Sequence, residues 1–200
     1  MPLAARRGLI VFVAAFVLIA GAFAVDHWWL RPADDNAGNL GVTIGGPFTL
    51  VDQNGAVRHD TDFRGQLMLI YFGYTFCPDA CPTALQNMSA ALDDLGDGAK
   101  GVTPIFVTVD PERDTVAQMK LYAANFHPRL VALTGTAEQT MAAAKAYRIY
   151  YDKNLHGAEL DYLVDHSSFI YLMGRDGHYL AHFGPDASAD TLAAAIKKYL

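Results

Sequence analysis

The sequence predicts an α/β domain in which helices cover a mixed sheet, and three observations lead there. Residues 67–72 (LMLIYF) and 104–109 (PIFVTV) are apolar runs of strand length, the pattern of strands buried on both faces. Each is followed by a helical signal: apolar residues at helical spacing over 83–95, and Asp114 as a cap for a helix over 115–126. Residues 168–173 and 179–183 then read as strands joined across Gly174-Arg175-Asp176-Gly177, a connection that pairs strands antiparallel. Periodicity defines these layers and leaves the strand order open.

The amino terminus stands apart from that domain. From Gly8 to Val25 the chain runs eighteen residues without a charge, preceded by Arg6 and Arg7 and followed by Asp26, His27, Trp28 and Trp29. This pattern suits a single membrane span with basic residues on the cytoplasmic side and tryptophans at the far interface. A cleaved signal peptide competes, because Ala22-Phe23-Ala24 has the small residues of a cleavage site. The run is longer than the roughly 7–15 residues of a signal core, which favours an anchor over residues 1–29. Both readings export the domain to a compartment where a disulfide can persist. The expected location is the inner (cytoplasmic) membrane, crossed once, with the domain in the periplasm. Residues 30–46, with Pro32, Asp34, Asp35, Asn36 and four glycines, read as a linker, leaving the domain at 47–200. The chain has 15 basic and 21 acidic residues, and two of the basic ones precede the apolar run. Such a balance argues against a nucleic-acid partner.

Within the domain, residues 48–51 and 56–59 flank Asn54-Gly55, the dipeptide most favoured in tight hairpin turns. Gly96 and Gly98 end the first helix. A brief strand at 130–133 leads to Thr136-Ala137-Glu138-Gln139, whose capping-box spacing opens a helix through Tyr147. A further short strand is expected at 149–151, and Ser188 caps a last helix to Tyr199.

The chemistry concentrates on the only two cysteines, Cys77 and Cys81, in Phe76-Cys77-Pro78-Asp79-Ala80-Cys81-Pro82. They fall on a strand-to-helix turn, where helix N–H groups stabilise a thiolate and lower a cysteine pKa. Pro82 suits the first helical turn, and Pro78 stiffens the loop between the sulfurs. If this stretch is helical, both side chains share one face with α-carbons about 6 Å apart. That separation permits a disulfide and equally permits two thiolates to hold one soft metal ion. A purely structural disulfide would close so short a loop that it adds little stability. His166, expected in a loop just before a strand, is a candidate third donor, although a lone histidine is ordinarily a surface or satisfied core residue. His59, His127, His156, His178 and His182 have no second ligand at metal spacing and read as structural. Met88, Met119 and Met141 fall on apolar helical faces and read as core. Asp110 and Asp114 lie beyond the carboxyl end of a strand, where α/β sheets place their sites, yet helix capping is the simpler account.

Six separated motifs carry a resemblance: Gly46-Pro47-Phe48, Tyr71-Phe72-Gly73-Tyr74-Thr75, the cysteine turn, Val109-Asp110-Pro111-Glu112-Arg113-Asp114, Leu133-Thr134-Gly135-Thr136 and Asp161-Tyr162-Leu163-Val164-Asp165-His166-Ser167-Ser168. On these, from about Gly46 to Leu200, the chain resembles the Sco/SenC/PrrC family of membrane-anchored copper proteins that serve cytochrome c oxidase assembly. The resemblance implies a thioredoxin-like fold and a copper site made by Cys77, Cys81 and His166. It implies a metallochaperone, not an enzyme, that takes copper from an upstream donor and delivers it to the oxidase subunit bearing the dinuclear copper centre. Two thiolates and an imidazole suit Cu(I), and a fourth ligand or water would let the same set hold Cu(II). Asp165 is then a possible acceptor for the imidazole, and Asp79 either tunes the thiolates or is a solvated turn residue. Ala80 stands where family members often have valine. The rival function is a thiol-disulfide oxidoreductase, with Cys77 attacking and Cys81 resolving. Its usual two-residue spacer is three residues here. A peroxidase of the peroxiredoxin type fits less well, because both thiols sit in one turn and no other cysteine can resolve.

Overall fold

The computed structural model describes residues 43–154 and 162–200. The expected anchor at 1–29, the linker up to residue 42 and His156 lie outside the described residues. Among the described residues, no helix is long and apolar enough to cross a membrane.

The chain opens with β1 (Thr49–Asp52) and β2 (Val57–His59), paired antiparallel as Asn54-Gly55 predicts. The Asp52 carboxylate accepts from the N–H groups of Asn54 and Ala56, and Gly55 adopts a φ of +84° that side-chain-bearing residues avoid. Next come β3 (Leu67–Gly73), α1 (Ala80–Leu95), β4 (Val102–Thr108), α2 (Val116–Ala123), β5 (Val131–Thr134) and α3 (Ala137–Ala146). The remaining elements are β6 (Tyr151–Asn154), β7 (Leu163–His166), β8 (Ile170–Met173), β9 (Tyr179–Phe183) and α4 (Ala189–Lys197).

Seven strands form one sheet in the order β2-β1-β5-β4-β3-β8-β9, and β6 with β7 form a separate two-stranded sheet. β3, β4 and β5 run parallel, while β8 returns antiparallel beside β3 and β9 closes antiparallel on β8. β3 is buried at every position, as its uninterrupted apolar run predicts. Helix α1 buries Cys81, Ala84, Leu85, Met88, Ala91, Leu92 and Leu95, an i, i+3, i+4, i+7 stripe that faces the core and packs against α4. Cys81 is the first member of that stripe, so the core packing of α1 itself sets where this sulfur points.

Several expectations are corrected. The cap of α2 is Thr115, whose hydroxyl accepts from the Gln118 N–H, and the helix stops at Ala123. Asp114 is instead buried: its carboxylate accepts from the Thr75 N–H (3.0 Å), the Thr75 hydroxyl (2.6 Å) and the Thr108 hydroxyl (2.6 Å). A carboxylate removed from water takes the strongest donors in reach, and these are on the sheet and the cysteine turn. Met141 is 56% exposed, because α3 buries the stripe of Thr140, Ala143 and Ala144; Met88 and Met119 are core. The strand expected at 149–151 begins only at Tyr151. The capping box of Thr136 with Gln139 and the Ser188 cap form as predicted.

Candidate metal centre

β3 lies inside the sheet between β4 and β8, and its carboxyl end releases the chain into the cysteine turn. Asp114 grips that turn at Thr75, and the Cys77 N–H donates to the Tyr74 carbonyl. The first turn of α1 then returns Cys81 beneath Cys77, with the Cys81 N–H donating to the Cys77 sulfur at 3.4 Å. Both cysteines are free thiols, Cys77 half-buried and Cys81 fully buried. Gly73 makes room for them: a Cβ there would stand 2.7 Å from Cys81 Sγ and 3.1 Å from Phe106 Cε2. The Tyr71 hydroxyl, buried beside them, donates to Cys81 Sγ at 3.8 Å.

His166 arrives from elsewhere. It is the last residue of β7, opposite Tyr151 of β6, and so belongs to a strand where the sequence predicts a loop. Segments of four residues are too short to give a local sign of pairing. The imidazole stands edge-on to Tyr71 and Tyr74, with ring centroids 6.2 and 5.9 Å away. Its Nε2 lies 3.5 Å from Cys81 Sγ, and its Nδ1 faces the Ser167 carbonyl at 3.2 Å. With its proton on Nδ1, given to that carbonyl, the ring offers the Nε2 lone pair to a metal; with the proton on Nε2 it donates to the sulfurs instead. The backbone thus supplies the acceptor for which Asp165 is the sequence candidate; Asp165 is exposed, opposite Asp152. The Asp79 side chain is likewise exposed and caps nothing.

The two sulfurs divide one charge unequally. A hydrogen bond from the Cys81 thiol draws the Cys77 pKa down to about 4 against the opposing effect of burial, aided by His166 and the N–H groups of Asp79 and Cys81. Cys81 moves the other way, because its proton is engaged by Cys77, it is buried, and a thiolate lies beside it. Burial likewise pushes the Tyr71 hydroxyl up, so it stays a donor.

The donor atoms of Cys77, Cys81 and His166 all lie within 4.8 Å of one another, the one such group among the described residues. Two sulfurs on one ion stand at most about two bond lengths apart, on the order of 4.6 Å. With a third donor around the ion the sulfurs close to about 4 Å, a change that side-chain rotation supplies. The remaining described histidines have other partners: His59 with Thr49, His127 with Arg129, His178 with Asp176, and His182 with Tyr179. Sequence reasoning passes over Tyr71, Gly73 and Arg113, although all three stand inside the motifs that carry the resemblance. Asp110, expected as a cap, is buried and bonded to Arg113 and to the Tyr162 hydroxyl.

The model of the SCO1/SenC family matches residues 36–200. The chain belongs to the SCO1/SenC family. This SCO1/SenC protein is 43% identical over 157 residues to the mitochondrial SCO2 homolog of Bos taurus; the alignment covers 78% of this chain and 59% of the bovine protein. It also matches the structure of Bradyrhizobium japonicum ScoI with copper bound, at 44% identity and a TM-score of 0.73, over 78% of this chain and 99% of that one. BsSco, a member of the Sco family of cytochrome c oxidase assembly proteins in which a disulfide switch has been identified, matches at 26% identity and a TM-score of 0.63, over 78% of this chain and 93% of that one. The architecture is thus the thioredoxin-like α/β fold of Sco proteins, a mixed sheet flanked by helices.

Proposed function

We propose that this chain is a copper metallochaperone that holds one copper ion between Cys77, Cys81 and His166 and delivers it for cytochrome c oxidase assembly. The observation that carries the reading is the convergence of two sulfurs and one imidazole nitrogen within 4.8 Å, in a relative of a protein seen with copper bound. The donor set fits the metal. Thiolate and imidazole ligands select Cu(I) over the harder divalent ions, and Cys77 is already a thiolate at neutral pH. Cu(II) is accommodated by adding a water or fourth ligand.

Delivery needs no turnover of a small substrate. The copper is cargo, received from an upstream donor and passed to the oxidase subunit with the dinuclear copper centre. Ligand exchange accomplishes this: an incoming acceptor thiolate takes the place of one of the three donors, and half-buried Cys77 is the more accessible sulfur. In the same reading, residues 1–29 anchor the chain in the inner membrane and residues 30–46 space the domain at 47–200 into the periplasm.

Anaerobic titration of the purified chain with Cu(I), then Cu(II), followed by metal count and X-ray absorption, tests the proposal. One copper per chain with two sulfur donors and one nitrogen donor is expected, with sharply weaker binding in His166→Ala. Sulfur-only coordination, or unchanged affinity in that variant, would remove the histidine from the site.

One observation favours a second reading, a thiol-disulfide oxidoreductase: a Cys77 thiolate stands against the protonated, buried thiol of Cys81. Cys77 would attack a substrate disulfide, and Cys81 would then displace the mixed disulfide, leaving a Cys77–Cys81 disulfide and two reduced substrate thiols. His166 has no ligand role in that scheme. Oxidase assembly in cells carrying His166→Ala separates the two: full assembly there, with failure in Cys77→Ser, would assign reduction.

A further inference from the structure

His166 rides on a two-stranded sheet that shares no ladder with the seven-stranded one. Main-chain pairing ties it to the central sheet only through β8, where Ile170, four residues on, pairs with Tyr71, so side chains set the last of its approach to the cysteines. Arg113 occupies the junction. Its Nε donates to Asp110 Oδ2 at 2.5 Å and its Nη1 to the Tyr162 carbonyl at 2.9 Å. Its guanidinium carbon lies 3.7 Å from the centre of the Tyr162 ring, 4.9 Å from that of Phe76 and 5.7 Å from that of Tyr74. The other oxygen of Asp110 accepts from the Tyr162 hydroxyl at 2.6 Å and has Lys153 Nζ at 3.8 Å.

These contacts reach three separate pieces of chain. Tyr74 and Phe76 belong to the cysteine turn, Tyr162 immediately precedes β7, and Lys153 lies on β6. The pair at the centre is dry: the side chains of Arg113 and Asp110 are 8% and 0% exposed. A buried ion pair contributes little net stability over a well-packed apolar substitute, yet removing one partner is costly because the other charge is stranded. Its value is geometric, and the planar guanidinium fork stacks on rings while fixing two acceptors in direction.

We infer that Arg113, Asp110 and Tyr162 form a clamp that positions the metal centre, holding the β6–β7 hairpin against the cysteine turn and so setting the reach of His166 to the sulfurs. The inference rests on the copper-binding reading and goes beyond it, because it assigns positioning residues that touch no donor atom. With the clamp loosened, the two sulfurs still offer a site for Cu(I) and the third donor drifts out of range.

The test uses the full chain and two mild changes. Tyr162→Phe removes one hydroxyl and keeps the ring beneath Arg113; Arg113→Lys keeps the charge and loses the fork. Cu(I) affinity is measured by competition with a chromophoric chelator in the wild type, each variant, His166→Ala and each double variant. Each clamp variant is expected to weaken binding about 10-fold with loss of the nitrogen donor from the X-ray absorption spectrum. In the His166→Ala background the same changes should have no further effect. In the copper-free protein, amide exchange should quicken in β6 and β7 while β3 and β4 keep their protection. Equal weakening with and without His166, or no change in affinity and hairpin exchange, would overturn the clamp. If Arg113→Lys does not fold, Tyr162→Phe decides. A wild type that fails to bind Cu(I) would defeat the copper reading instead, and hairpin exchange alone would then decide whether the clamp exists.

Discussion

Cys77 carries the negative charge of the sulfur pair because donors converge on it from Cys81, His166 and two backbone N–H groups, while Cys81 sits deeper with its proton committed. Alkylation of the reduced, copper-free protein should report this directly. Modification of Cys77 by iodoacetamide is expected to stay fast well below the ordinary thiol range near pH 8.5 and to fall off only as pH drops through about 4. A profile centred near 8 would contradict the assignment. At Gly73 the missing side chain matters: a methyl group 2.7 Å from Cys81 Sγ must push either the sulfur or the strand. Gly73→Ala should destabilise the fold by about 1–3 kcal/mol in chemical denaturation and weaken copper binding, because the displaced sulfur leaves the group of three.

Among the elements, the β1–β2 hairpin and the β6–β7 hairpin differ in what holds them. The first has a turn residue that organises it: N–H groups of Ala56 and Asn54 and the Arg58 guanidinium hold the Asp52 carboxyl below the usual range, outweighing the opposing effect of burial. That depression sets the sign of the pH dependence. The stabilisation is complete above the unfolded carboxyl value near 3.9 and is lost as pH falls through the lower folded value. Asp52→Asn should therefore cost about 1–2 kcal/mol at pH 7, and urea denaturation should find the gap to wild type closing below about pH 4. The second hairpin has Asp152 directly opposite Asp165, a like-charge pair that weakens a ladder, and it depends on the Arg113 clamp instead. This contrast explains what could be read in advance. Asn54-Gly55 announces its turn locally, whereas β6 and β7 are strands of only four residues, too short to carry a period, and their pairing shows only when folded.

For the whole molecule, three donors separated by up to 89 positions, from Cys77 to His166, meet only in the folded chain, so copper and folding must be linked. A ligand that binds the native state alone adds RT ln(1 + [L]/Kd), about 2.7 kcal/mol at a hundredfold excess over Kd. Anaerobic Cu(I) is thus expected to raise the denaturation midpoint of the wild type and leave that of Cys77→Ser nearly unchanged. An equal rise in both would mean that copper binds elsewhere. The central parallel strands, the helix stripe of α1 and the capped helices were legible because each is written in a contiguous period or a capping residue. Asp114 misleads for the same reason: it lies at a helix start, and only the fold shows it turned inward to Thr75 and Thr108.

By itself, the sequence determined the α/β layering, the turn that presents two cysteines at a helix start, and the hairpin turn at Asn54-Gly55. These depend on neighbours within a few residues, which share a face or a turn whatever the rest of the chain does. The tertiary structure alone decided the strand order, the division of charge between the sulfurs, the opening left by Gly73 and the approach of the imidazole. Each of those joins groups far apart in the chain, whose distance is set by packing and by a buried arginine, and no local period records it.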